Sequence, residues 1–168
     1  MNPFATSDQR VNIFIDTQNI YHSAKNLYEK KVDFGKLIHL LVGERKLIKA
    51  FAYAIKSDFT PKEIDFFEAL INHGIQLRIK KTQVYPDGTK KANWDIGIAV
   101  DAIKFSPLVD VVILVTGDGD FLPLVEYLQN HGKQVEVAGF IQTTSAKLKE
   151  MADFYYDLNE FSRIILIS

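Results

Sequence analysis

The sequence predicts an α/β fold, with a central, mainly parallel sheet flanked by helices on both faces. Three observations lead there. Runs of β-branched and aromatic residues of strand length alternate with segments at helical spacing along the chain. The connections between them are short, which favours right-handed crossovers between parallel strands. The two most apolar runs, Val11–Ile15 and Val109–Val115, read as buried strands.

Each element can be justified in order. Val11-Asn12-Ile13-Phe14-Ile15 stops at Asp16, and Asn19–Lys31 follows as a helix with Ile20, Ala24, Leu27 and Tyr28 on one face. Asp33 is an N-cap for a helix through Val42, because its short carboxylate can accept from the unpaired N–H groups of the first turn. Lys46–Ile55 reads as a strand. Thr60-Pro61-Lys62-Glu63 combines a capping box with Pro at the first helical position and opens a helix ending near His73-Gly74. Ile75–Thr82 alternates apolar and polar residues as a strand with one wetter face. Tyr85-Pro86-Asp87-Gly88 is a turn. Asn93–Phe105 returns to helix, and Val109–Val115 is the most strand-like stretch. Asp118–His131 (helix), Gln134–Gly139 (strand), Thr143–Ala152 (helix) and Phe154–Leu158 (strand) complete a three-layer, Rossmann-like order. The apolar tail Phe161–Ile167 has no clear class and is a candidate for packing on its own domain or on a partner subunit in a homo-oligomer.

Length and composition bound the function. The chain has 168 residues, 47% hydrophobic and 24% charged, enough for one domain with a buried core. The expected organisation is a flexible segment over residues 1–10 and a single domain over 11–168. There is no Cys, which excludes disulfides, thiolate zinc sites and cysteine nucleophiles. Twenty Lys and Arg against 21 Asp and Glu leave a net charge of -1, so a polyanion must be bound through a local patch or a metal. No signal-peptide core or membrane-length apolar run is present, and a cytoplasmic protein without membrane contact is expected.

The acids carry the chemistry. In an open α/β sheet, ligands bind beyond the carboxyl ends of the strands, where the strand order reverses. Asp16 ends the first strand, and Asp118 and Asp120 follow Val109–Val115 in the turn Thr116-Gly117-Asp118-Gly119-Asp120. Were these two strands neighbours, three carboxylates would converge. Such a cluster repels itself unless protonated, paired with a basic side chain or bound to a hard divalent cation. An oxygen-only donor set suits Mg²⁺ or Mn²⁺. Asp95 lies in the first turn of its helix and can join them. Asp101, six positions on, points about 120° away around the helix axis and cannot face the same ion; it is expected behind the ligands or on a solvated face. Thr116 could donate to a phosphate or simply cap the turn. For Asp118 alone, a helix cap is the competing reading.

Three motifs then stand in order: Phe14-Ile15-Asp16-Thr17-Gln18-Asn19, Trp94-Asp95-Ile96-Gly97-Ile98-Ala99-Val100-Asp101 and Val115-Thr116-Gly117-Asp118-Gly119-Asp120-Phe121. Together, over about Val11 to Leu158, they resemble the NYN family of the PIN-like nuclease superfamily, in its bacterial LabA-like branch. The resemblance implies a PIN-like sheet and an Mg²⁺- or Mn²⁺-binding carboxylate cluster that hydrolyses RNA phosphodiester bonds. It maps the catalytic and metal-binding acids onto Asp16, Asp95, Asp118 and Asp120. Asn19 matches the amide three residues after the first acid, where it would orient a water or ligand. Relatives often carry a Lys-Gly pair just before the helix acid; here Ala92-Asn93 stand there, with Lys90-Lys91 upstream.

RNA contacts are assigned to Lys80, Lys81, Lys90 and Lys91 flanking the turn, with Tyr85 as a stacking platform. The competing reading is a solvated hairpin whose lysines protect a sheet edge. Trp94 reads as core, and the four His lack ligand spacing. A phosphohydrolase of the haloacid-dehalogenase type would need an acid two residues after Asp16, and position 18 is Gln. The remaining alternative is a PIN-like domain that binds nucleic acid or regulates without catalysis.

Overall fold

A computed structural model describes residues 2–55, 60–72 and 74–168, excluding the side chains of residues 63, 66, 67, 69, 90 and 91. The elements are β1 (Arg10–Asp16), α1 (Thr17–Tyr28), β2 (Lys31–Val32), α2 (Phe34–Val42), β3 (Lys46–Ile55), α3 (Pro61–Ile71), β4 (Gln76–Lys80), β5 (Gln83–Val84), β6 (Lys90–Lys91) and α4 (Asp95–Phe105). They continue with β7 (Val111–Val115), α5 (Leu122–Asn130), β8 (Gln134–Gly139), α6 (Ala146–Met151), β9 (Phe154–Asp157), α7 (Ser162–Ile165) and β10 (Leu166–Ile167).

Six strands form one sheet in the order β4-β3-β1-β7-β8-β9, and every pairing in it is parallel. The chain moves outward from β1 to β3 and β4, then returns to the other side of β1 for β7, β8 and β9. The order therefore reverses between β1 and β7, which are direct neighbours with Ile15 opposite Val115. This is where a doubly wound sheet opens a crevice at its carboxyl edge.

Strand alternation divides the core in two. Val11, Ile13, Ile15, Val111, Ile113 and Val115 pack with residues of α1, α2 and α7 on one face. Phe14, Phe51, Val112 and Leu114 pack with α4, α5 and α6 on the other. On that second face Phe14 stacks on Phe51 at 5.6 Å and Phe51 on Phe105 at 5.3 Å. Each fully buried ring is worth about 2–3 kcal/mol relative to exposure, so these strands have little freedom to slip register.

The periodic elements form where the sequence places them, and the caps explain why. Asp33 caps α2 by accepting from Lys36 N, and Asp16 caps α1 by accepting from Asn19 N. Ser145 caps α6, which starts at Ala146 rather than at Thr143. The helix expected from Asp118 begins as a 3-10 turn over Gly119–Phe121, with α5 proper starting at Leu122. Pro123 suits that first helical turn because it has no N–H to lose. The capping box at Thr60–Glu63 and His73 fall partly or wholly outside the described residues.

In the amino-terminal segment Asn2 is buried, and its amide donates to Glu136 at 2.8 Å and Tyr156 at 3.1 Å. The apolar tail packs on its own domain, with Ile165 buried in the core and β10 antiparallel to β2. The helix α4 runs against the usual amphipathic pattern. Ile98 and Ala102 are buried with Asp101, while Ile96 is 79% and Val100 55% exposed. Among the described residues no helix is long and apolar enough to cross a membrane.

Candidate metal centre

Asp16 and the Thr116–Asp120 turn leave adjacent strands at the same edge of the sheet, so the topology alone brings them together. Side-chain hydrogen bonds refine the placement. Asp16 accepts from Asn19 N at 3.3 Å and from Thr116 Oγ1 at 3.1 Å. Thr116 Oγ1 in turn accepts from Asp118 N at 3.2 Å. Asp118 accepts from Asp120 N at 2.9 Å, so Asp118 is a cap as well as a cluster member. One chain of bonds thus runs from the first acid to the last.

The carboxylates of Asp95, Asp118 and Asp120 each offer an oxygen within 4.8 Å of the others, partly buried at Asp95 and Asp118 and exposed at Asp120. Asp16 lies behind this trio rather than among it, close enough that Asp95 and Asp118 act on its charge. Its carboxyl is pushed up to about 6. Burial is the main cause; the two neighbouring acids add to it, against the opposing bonds from Asn19 and Thr116.

The side-chain oxygen of Asn19 accepts from Gly117 N at 3.0 Å, tying α1 to the acid-bearing turn. Gly117 is required there for space: a Cβ would lie 2.3 Å from the backbone oxygen of Thr143. Ser145 N closes the same junction by donating to Gly117 O at 2.8 Å. This segment after β8 was missed from sequence. The available signal was that β8 also ends at the carboxyl edge, next to β7.

Asp101 does not reach the cluster and is not on a solvated face. It is 8% exposed, accepts from Tyr53 OH at 2.7 Å and lies 2.7 Å from Arg78 Nε. Burial and the bond to Asp101 push the Tyr53 hydroxyl up.

A groove of about 690 Å³ runs from the acids toward the β5–β6 hairpin, lined by Lys80, Lys81, Gln83, Tyr85, Ala92, Asn93, Asp95, Ile96, Gly97 and Asp120. The structure therefore joins two expected basic residues and the aromatic to the acid cluster. Lys80 is partly committed already, with Nζ donating to Asn93 O and standing 4.5 Å from the Trp94 ring centroid. Trp94 is partly buried, as expected of a core residue: its Nε1 donates to Ala54 O at 2.8 Å and its ring meets Tyr53. The β5–β6 hairpin exists, but the Lys90 and Lys91 side chains lie outside the described residues.

The chain matches the NYN domain over residues 10–159. It is 27% identical over 165 residues to the low amplitude and bright protein LabA of Synechococcus elongatus, covering 93% of this chain and 87% of that protein. It is 27% identical over 157 residues to an uncharacterised protein of Methanocaldococcus jannaschii, covering 91% of this chain but 57% of that longer protein. A crystal structure of a protein of unknown function from Vibrio parahaemolyticus is similar with a TM-score of 0.86 at 34% identity, over 97% of this chain and 99% of that one.

Proposed function

The chain belongs to the NYN domain family, within the PIN-like nuclease superfamily, and from that premise we propose that it is a divalent-metal-dependent ribonuclease hydrolysing RNA phosphodiester bonds. The observation that carries the reading is the convergence of Asp95, Asp118 and Asp120 within 4.8 Å, backed by a partly buried Asp16.

The donor set fits a hard cation. It consists of carboxylate oxygens, and Lys80, at the groove beside them, is turned to Asn93 O and the Trp94 ring. Carboxylates gathered this closely repel one another, Asp95 and Asp118 add to the rise that burial gives the Asp16 carboxyl, and a doubly charged ion relieves that repulsion. Asp95, Asp118 and Asp120 would hold Mg²⁺ or Mn²⁺, with Asp16 beside them. Such an ion, when bound, supplies a Lewis acid that makes water a nucleophile near neutral pH and offsets charge on the phosphate.

The protein's own groups do the rest. The bonds from Asn19 to Gly117 and from Thr116 to Asp16 fix the acids before substrate arrives, so no reorganisation is needed at the moment of reaction. Lys81 and Lys80 line the groove and attract a polyanion that the overall charge of -1 would not. Tyr85, 41% exposed, offers a face on which a base can stack.

The test is incubation of the purified protein with a mixed RNA pool and Mn²⁺ or Mg²⁺. Cutting that requires the ion and is lost in Asp118→Asn and Asp16→Asn is the expected result. Cutting undiminished in Asp16→Asn would overturn the site assignment. No cutting of RNA under either ion would leave a non-catalytic nucleic-acid-binding or regulatory domain.

A further inference from the structure

We infer that Asp101 is a positioning residue: the buried Tyr53–Asp101 bond, with Arg78 at its edge, sets the rotation of α4 that carries the Asp95 carboxylate to Asp118 and Asp120. The inference rests on the metal-site reading above and deepens it.

The helix α4 supplies Asp95. Its inner face contributes Ile98, Ala102 and, at its last position, Phe105 stacked on Phe51 at 5.3 Å, while Ile96 and Val100 are more than half exposed. Hydrophobic burial is non-directional, so it does not by itself fix how the first turn of the helix is rotated. Directional polar ties do so instead, at three levels. At the start, Trp94 Nε1 donates to Ala54 O at 2.8 Å. At the end, Asn12 Nδ2, buried in β1, donates to Phe105 O at 3.1 Å. Between them Asp101 accepts from Tyr53 OH at 2.7 Å and from Arg78 Nη2 at 3.3 Å.

The middle tie governs rotation because, of the three, it is the one made by a polar side chain of α4 itself. Asp95 and Asp101 are six residues apart, about 120° around the axis. Seating Asp101 on β3 and β4 therefore turns Asp95 sideways, toward the β7 turn. Tyr53 also stands opposite Asp16 in the β1–β3 register, so the anchor and the first acid share one rigid strand pair. A buried carboxylate is costly where an apolar residue would pack as well, and its retention here is accounted for by the geometry it imposes.

The experiment measures Mn²⁺ affinity by electron paramagnetic resonance and melting temperature without metal, for the full chain and its Tyr53→Phe, Asp101→Leu and Asp101→Asn variants. Tyr53→Phe removes one oxygen and keeps the ring, so it carries the test where Asp101→Leu does not fold. Tyr53→Phe and Asp101→Leu are expected to weaken Mn²⁺ binding about 10-fold or more, the range for groups that orient metal ligands. Asp101→Asn, which still accepts from Tyr53, is expected to lose less. In an Asp95→Asn background, Asp101→Leu should cause no further loss, because its effect passes through Asp95. Unchanged Mn²⁺ affinity in Tyr53→Phe, or losses that multiply in the double variant, would overturn the inference. Failure of the unaltered chain to bind Mn²⁺ refutes the metal site itself, before any variant is compared.

Discussion

The side-chain oxygen of Asn19 accepts the backbone N–H of Gly117 at 3.0 Å, joining the first helix to the turn that carries Asp118 and Asp120. Gly117 is buried, so its N–H has no alternative partner in water. Asn19→Ala should therefore cost about 1–3 kcal/mol of stability and loosen the acid turn. Mn²⁺ titration followed by thermal melting should show a smaller metal-induced rise in Tm than for the unaltered chain. An equal rise would mean that the turn holds its shape without Asn19.

Gly117→Ala tests the close approach of two loops. The added methyl would sit 2.3 Å from Thr143 O, a backbone atom that cannot swing aside. The expected destabilisation is about 1–3 kcal/mol, as for other overpacked sites. Denaturant unfolding checks it, and a neutral result would mean that the Thr143–Ser145 segment shifts freely.

Asp16 makes stability depend on pH. Its carboxyl is raised from 3.8 to about 6, so the metal-free fold binds that proton more tightly than the unfolded chain does. The resulting stability is complete below about pH 4 and is lost as pH rises through about 6, amounting to at most about 3 kcal/mol. Asp16→Asn carries no charge and keeps one acceptor oxygen for Asn19 N, while its Nδ2 would donate to Thr116 Oγ1 in place of the bond accepted there. Denaturant curves from pH 4 to 8 should show a weaker fall in stability for Asp16→Asn, and a higher metal-free stability than the unaltered chain at neutral pH. Parallel curves would show that Asp16 is better solvated than its surroundings indicate.

Far from the acids, Arg45 and Glu136 form a buried pair at 2.8 Å, with side-chain exposures of 3% and 0%. Asn2 and Tyr156 complete its bonds; burial, with the Glu136 charge adding to it, pushes the Tyr156 hydroxyl up to about 12. Arg45→Met strands an unpaired buried carboxylate and should cost about 3–5 kcal/mol. Arg45→Met combined with Glu136→Leu should cost less than Arg45→Met alone, because no lone charge remains. Unfolding of the two variants beside the unaltered chain decides this, and a double variant worse than the single one would show that the ion pair itself stabilises the fold.

Local pattern in the chain already specified the alternation of strands and helices, the cap at Asp33, and the acids at the ends of β1 and β7. These are local matters: periodicity, a short polar side chain before a helix and an apolar run stopped by a charge are written among near neighbours. Tertiary structure alone decided that Asp101 turns inward, that Asn19 serves Gly117, that Glu136 is buried in a strand and that Asn2 and the two-residue β10 are fastened down. Each depends on a partner far along the chain, as Glu136 does on Arg45, 91 residues away. A polar residue becomes cheap to bury only when its complement arrives, and which complement arrives is fixed by packing rather than by local pattern.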